Sequence, residues 1–374
     1  MAMNVVSLFS GCGGLDLGFQ QAGFEVVYAN DIDRDVWKTY ELNSGKQMDH
    51  RSLFDIPSSD IPDADGIIGG PPCQSWSLAG AMRGINDKRG QLFYEYIRII
   101  KDKQPKFFVA ENVPGMLSKT HKTEFSRIVR NMADLGYEVS YQLYDARNYG
   151  VPQERRRVII VGYRKGMGVS FTPPAPTHSR LGGIGIDGTA TMKWATLADA
   201  IGNLPEAVPA LERNLPNPAV KFPNHEYMVG NFSTIYMSRN RRRKWGEASF
   251  TIQAGGRHAP LHPSSCPMEK VGKDKWIFAG GSYRRLTVRE AARVQTFPDD
   301  FILYYNNVSQ GYKMVGNAVP PRLAFNIAKK IFEDLKAIRN NPVASFNNDA
   351  ENGTQTFSHE AKWEDGIKPQ IKGA

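Results

Sequence analysis

Cysteine is scarce in these 374 residues: Cys12, Cys73 and Cys266 are the only three. An odd, low count argues against a disulfide framework and for a reducing compartment. There is no CxxC, and the seven histidines form no cluster with cysteine. His262 and Cys266 come nearest to a ligand pair, and two ligands are too few for zinc; no metal is expected. No run approaches the ~20 apolar residues of a membrane span, so no membrane partner is expected. The first residues, Met1 to Phe9, carry no basic n-region, so no signal peptide is expected. The glycine loop at 9–14 is not the dinucleotide fingerprint GxGxxG, the phosphate-loop pattern GxxxxGK[ST] is missing, and there are no internal repeats.

What is present is ordinary for a globular chain, 41% hydrophobic and 23% charged. Net charge is the exception. At +9, with an isoelectric point near 9.3, it suggests a polyanionic partner.

Residues 1–171 alternate strand-like and helix-like segments. Val5–Phe9, Glu25–Ala29, 65–68, Phe107–Ala110, 138–143 and Val158–Gly162 read as strands. Helices are expected up to about Ala22, near 33–43, over 91–102 and over 123–135. This alternation predicts an α/β fold, a doubly wound and mostly parallel sheet with helices on both faces. Residues 172–283 are rich in proline and glycine and read as a smaller irregular domain. Regular structure returns over 284–340, with a helix at Leu286–Gln295 capped by Thr287 and Glu290 and another near 321–338. The polar, asparagine-rich tail 341–374 is expected to be disordered.

Three features carry chemistry. Phe9-Ser10-Gly11-Cys12-Gly13-Gly14 follows the first strand and opens a helix, where backbone approaches a ligand closely. Asp31, at the end of the second strand, is placed for ribose hydroxyls. A nucleoside cofactor follows; nicotinamide dinucleotide stays open, and a single short glycine cluster suits S-adenosylmethionine at least as well. Gly69-Gly70-Pro71-Pro72-Cys73-Gln74 presents a thiol on a stiff turn, as a nucleophile or as a small buried hydrophobe. Glu111 ends another strand. Ligands bind beyond the carboxyl ends of such strands, so Gly11, Asp31, Cys73 and Glu111 are expected to share one cleft. Arg155 and Arg157, in Gln153-Glu154-Arg155-Arg156-Arg157, alternate onto one face of an extended segment.

In this order the motifs resemble the DNA (cytosine-5) methyltransferases. The matching pieces are FSGCGGLDLGF (9–19), Asp31, GGPPCQSWS (69–77), DKRGQLF (87–93), ENV (111–113), QERRR (153–157), RRLTVREAARVQTFPDDF (284–301) and GYKMVGNAVP (311–320). Residues 225–320 look like those of bacterial restriction–modification methyltransferases that recognise GGCC. The resemblance implies a catalytic, S-adenosylmethionine-binding domain (1–171, completed by 284–340) and a target-recognition domain (172–283). It implies methyl transfer from S-adenosylmethionine, released as S-adenosylhomocysteine, to C5 of a flipped-out cytosine in duplex DNA. Cys73 becomes the nucleophile on C6, Glu111 the contact to the base, and Arg155 and Arg157 orient the base and support the loop. Phe9, Gly11 and Cys12 go to the methionine side of the cofactor, and Asp31 to the ribose. Ile32 faces the adenine, Leu53, Pro72 and Leu92 line its pocket, and Asn317 and Ala318 close the site. Two departures stand out. Ser52 replaces an aspartate that usually bonds the adenine amine, with Asp55 as a substitute, and Ile32 replaces a common aromatic. The resemblance further implies a monomer in the bacterial cytoplasm, with a cognate endonuclease as functional partner.

The densest basic run is Arg239-Asn240-Arg241-Arg242-Arg243-Lys244, with Arg257 following in a glycine-rich turn. Arginine pairs bidentately with guanine O6 and N7. Arg239, Arg241 and Arg257 are therefore expected to read guanines, and Arg242, Arg243 and Lys244 to meet phosphate. Three competing readings are a tRNA cytosine methyltransferase, a nicotinamide-dependent oxidoreductase and a non-catalytic DNA-binding regulator.

Overall fold

Val5, Val6 and Leu8, Ile67 and Ile68, and the unbroken Phe107–Ala110 are apolar runs too short for helices and too continuous for a half-exposed strand. In the computed structural model, which describes residues 3–72, 88–185 and 188–340 (backbone alone at 88–90), they are the middle of one sheet. Cys73 and the tail 341–374 lie outside the described residues.

The sheet has six strands: β1 (Asn4–Leu8), β2 (Glu25–Asn30), β3 (Gly66–Gly69), β4 (Phe107–Asn112), β5 (Tyr137–Asp145) and β6 (Arg156–Arg164). Their spatial order is β2-β1-β3-β4-β6-β5. β1 pairs in parallel with β2 and β3, and β3 with β4, while β6 runs antiparallel to both neighbours. Five strands therefore point one way and only β6 is reversed. Neighbouring residues serve opposite faces, as the two-residue period requires. Val5 and Phe107 join the core under α1 (Gly14–Gln21) and α8 (Pro321–Asn340). Val6 and Phe108 join the core under α3 (Lys88–Lys103) and α4 (Lys122–Asp134).

α2 (Arg34–Ser44) is capped by the Asp33 carboxylate and ends at Gly45 in a left-handed conformation, as helix termini favour. α1 and α8 touch backbone to backbone. A Cβ on Gly18 would lie 2.4 Å from the Ala324 Cβ, so only glycine permits this approach.

After β6 come small strands, the short α5 (Leu197–Ile201), then α6 (Val288–Val294) and α7 (Val308–Asn317). The expected capping box of α6 is present: Glu290 N–H donates to Thr287 Oγ1 at 2.9 Å and Thr287 N–H to the Glu290 carboxylate at 2.8 Å. α7 was not expected; its glycines and tyrosine mask the helical pattern. Residues 172–283 contribute to two cores. Leu197, Ile201, Met228, Ile252 and Ala259 share a core with α6 and α7. Within this segment a small core of its own forms around Tyr236, Leu261 and Met268. No described helix is long and apolar enough to cross a membrane.

Candidate active site and nucleic-acid face

The carboxyl ends of β1, β2, β3 and β4 open onto a cavity of about 550 Å³. After β1 the chain turns sharply: Phe9, Gly11 and Gly13 all take positive φ. A Cβ on Gly14 would strike the Val319 carbonyl at 2.4 Å, so the loop lies directly against the segment that follows α7. Asp31 stabilises the turn. Its carboxylate accepts the Gly11 N–H and the Asp33 N–H, each at 2.8 Å. Burial pushes the Asp31 carboxyl up from its usual value, against the pull of these two hydrogen bonds.

All eleven residues expected at the cofactor line this cavity: Phe9, Gly11, Cys12, Asp31, Ile32, Ser52, Leu53, Pro72, Leu92, Asn317 and Ala318. Ile32 is 62% exposed and forms part of the rim. The Cys12 thiol is buried, which pushes it up to about 12. Ser52 lines the cavity, whereas Asp55 is not among its lining residues. A polar wall of Asp31, Ser52 and loop backbone faces apolar Leu53, Pro72 and Leu92, a donor set suited to a nucleoside with an apolar base face.

Glu111 lies at the inner end of the same cavity. Its carboxylate is 2.7 Å from Arg157 Nε. A Cβ on Gly70 would come within 3.3 Å of that carboxylate, and Asn112 Nδ2 donates to the Pro71 carbonyl at 3.2 Å. The chain thus enters the segment bearing Cys73 beside the acid.

Arg155 is tied to distant backbone. It is fully buried and donates to the carbonyls of Ile252 (3.1 Å), Gly316 (3.0 Å) and Ala318 (2.8 Å). Of its two expected tasks, the geometry gives it support: it holds the α7 terminus that walls the cavity. Gln153, buried beside it, donates to Gln295 Oε1 at 2.6 Å, and Gln295 donates to the Val315 carbonyl at 2.7 Å. Sequence reasoning missed both glutamines, although both sit inside matching motifs. It also missed Asp16, buried under the glycine loop, which accepts from Ser7 Oγ at 2.6 Å and Tyr40 Oη at 2.7 Å. Burial raises Asp16 to about 6.

A second, larger cleft of about 830 Å³ lies across α7, lined by Gly230–Ser233, Ala254–His258, Arg285, Asn307, Ser309 and Gln310 among others. Arg257 lines it and is exposed, as is Arg239. Burial lowers the pKa of His258, with Arg241, Arg239, Arg257 and Arg285 adding to the effect, so four guanidinium groups converge here. Two assignments need correcting. Arg241 is turned inward: Nε donates to the Tyr236 carbonyl at 2.8 Å, Nη2 to the Ile235 carbonyl at 2.9 Å, and the guanidinium lies over the Tyr236 ring. It shapes the loop and is not presented as a base reader. Arg243 is neutralised by Glu154 at 2.7 Å and rests on Phe250, which removes it from the expected phosphate contacts. Arg242 donates to the Pro263 carbonyl, and Lys244 is exposed. Arg285, not expected, is buried on the cleft wall, bonds the carbonyls of Met228, Gly230 and Asn231, and packs on Phe232.

A doubly wound sheet with a glycine loop and acids at the carboxyl ends of its strands, beside a second cleft reached by arginines, is the architecture of a methyltransferase fold. Comparison with known proteins gives the family: residues 3–333 match the C-5 cytosine-specific DNA methylases, and the chain belongs to that family. It is similar to the type II methyltransferase M.MthTI of Methanothermobacter thermautotrophicus, 54% identical across 91% of this chain and 100% of that protein. It is also similar to M.FnuDI of Fusobacterium nucleatum, 49% identical across 89% of this chain and 95% of that one. In fold it matches the Entamoeba histolytica methyltransferase EhMeth (TM-score 0.63, 16% identity, 90% of this chain and 99% of that chain). It likewise matches the Dnmt2 methyltransferase of S. pombe (0.58, 17%, 90% and 99%).

Proposed function

We propose that this chain methylates C5 of one cytosine in a specific duplex DNA site, using S-adenosylmethionine as donor. One observation carries the reading: the cavity that meets Glu111 is lined by every residue expected to hold that donor. When bound, S-adenosylmethionine supplies the methyl group and leaves as S-adenosylhomocysteine. Phe9, Gly11 and Cys12 face its methionine side. Asp31 has lone pairs left for the ribose hydroxyls, Ser52 accepts from the adenine amine, and Ile32, Leu53, Pro72 and Leu92 cover the adenine.

The target cytosine must leave the stack, at a cost of a few kcal/mol, offset by holding base, thiol and donor in register. The Cys73 thiolate adds to C6, which makes C5 electron-rich enough to take the methyl. A base then removes the C5 proton, the electron pair returns, and the C6–S bond breaks to restore the thiolate. Glu111, steered by Arg157, meets the exocyclic amine and N3. Arg239 and Arg257 read guanines; Arg242 and Lys244 meet phosphate. The site is GGCC with the inner cytosine methylated, by the resemblance of residues 225–320, and the modification protects DNA from a cognate endonuclease. The protein acts as a monomer in the cytoplasm, on each strand in turn.

Bisulfite sequencing of plasmid and tRNA from cells expressing the protein tests this. Methylcytosine at GGCC in the plasmid is expected. Methylation of another site overturns the specificity, and methylation of tRNA alone overturns the DNA substrate.

A further inference from the structure

α7 is the partition between the two cavities. Its C-terminal residues Met314 and Asn317 line the smaller one, and Ser309 and Gln310 line the larger. Among the described residues, Lys313 alone lines both. Its ammonium reaches across to the N-terminus of α2, 2.8 Å from an Asp33 carboxylate oxygen and 2.7 Å from one of Asp35. Gln310 Nε2 adds a hydrogen bond to Asp35 Oδ1 at 2.8 Å. Three acids, Asp31, Asp33 and Asp35, crowd one turn of chain on the rim, and Lys313 is the cation set against two of them.

Resting on the reading of the smaller cavity as the cofactor site, we propose that Lys313 is a positioning residue for the cofactor. It clasps Asp33 and Asp35, closes α7 onto α2, and offsets the charge that surrounds the ribose-binding Asp31. Other elements face the cluster. The glycine loop contributes the Gly11 N–H and the protonated Cys12 thiol, and α1 contributes Asp16. Asp33 raises Asp31 and Lys313 lowers it, both after the larger effect of burial. Arg51, on the same cavity, is paired with Asp49 and Asp60.

An ionised Asp31 accepts from both ribose hydroxyls, and protonation removes an acceptor. Cofactor affinity therefore falls as pH drops through the Asp31 titration. Removing Lys313 moves that fall to higher pH. Removing the Asp33 charge moves it lower, because a like charge is lost while asparagine still caps α2.

The test is calorimetric binding of S-adenosylhomocysteine to the full-length protein across pH 4–8, for wild type, Lys313→Met, Lys313→Arg and Asp33→Asn. Lys313→Met is expected to weaken binding about fivefold to tenfold near neutrality and to shift the acid limb upward. Lys313→Arg restores the limb, and Asp33→Asn shifts it downward. A uniform loss at every pH, or no loss, in Lys313→Met overturns the proposal. If Lys313→Met does not fold, the downward shift in Asp33→Asn decides, and an unmoved limb there overturns it. Wild-type protein that binds no S-adenosylhomocysteine overturns instead the cofactor reading beneath it.

Discussion

Arg157 Nε lies 2.7 Å from the Glu111 carboxylate, joining the start of β6 to the end of β4. The pair is nearly buried, so the arginine fixes the orientation of the acid. A carboxylate held in this way presents its free oxygen in one direction. Glu111→Gln is expected to lower the rate of methyl transfer to duplex DNA by about 10²–10⁴, with the fold intact by circular dichroism. Arg157→Ala is expected to lose most of that rate too, and Arg157→Lys to recover only part, because lysine lacks the planar fork.

Arg155 holds three carbonyls from distant segments. Arg155→Met removes donors from three buried carbonyls and is expected to cost about 3 kcal/mol in denaturant unfolding. Cofactor affinity falls with it, since Gly316 and Ala318 are two of the three acceptors.

Asp16 gives a pH dependence with a definite sign. Its folded pKa, about 6, lies above the ordinary value of 3.8. The neutral form therefore favours the fold, a contribution fully present below pH ~4 and lost as pH rises through ~6. Asp16→Asn mimics the neutral acid. It is expected to match wild type at pH 4 and to exceed it by about 3 kcal/mol at pH 8, measured as the difference between unfolding curves.

On the nucleic-acid face, Arg239 and Arg257 are exposed whereas Arg241 is engaged by the protein. Arg239→Ala and Arg257→Ala are expected to cost about 1–3 kcal/mol in DNA binding and to relax discrimination at one base each. Lys244→Ala is expected to weaken all duplexes alike and to reduce the salt slope by about 1. Arg241→Ala is expected to lower the melting temperature, because Tyr236 and Ile235 lose the group that ties their loop.

Gly18→Ala is expected to cost about 1–3 kcal/mol by overpacking, since the new methyl meets Ala324 and backbone atoms of Phe325. Thermal unfolding checks it.

The sheet was readable because its central strands are apolar on both faces and each is followed by glycine or an acid. The cavity was readable because Gly11, Asp31 and Glu111 are anchored by strand ends, whose place is set by topology. The carbonyls that hold Arg155 were not foreseen and Arg241 was misjudged, for a common reason. Charge runs show where guanidinium groups occur, not whether carbonyls from distant segments will capture them. Ile252 and Ala318 are 97 and 163 residues from Arg155, beyond anything local pattern reveals. Asp16 and Lys313 were missed because their partners, Tyr40 and Asp33, are equally remote or lie on another helix.

The far wall of the cavity has a consequence for biosynthesis. Lys313 and the Asp33 it grips are 280 positions apart, and Gly14 waits on Val319 to be covered. A growing chain on the ribosome has its glycine loop, its acid and its thiol long before this wall emerges. The cavity is therefore assembled incomplete and closes only near the end of translation, so truncated products carry the glycine loop, the acid and the thiol without the wall that faces them.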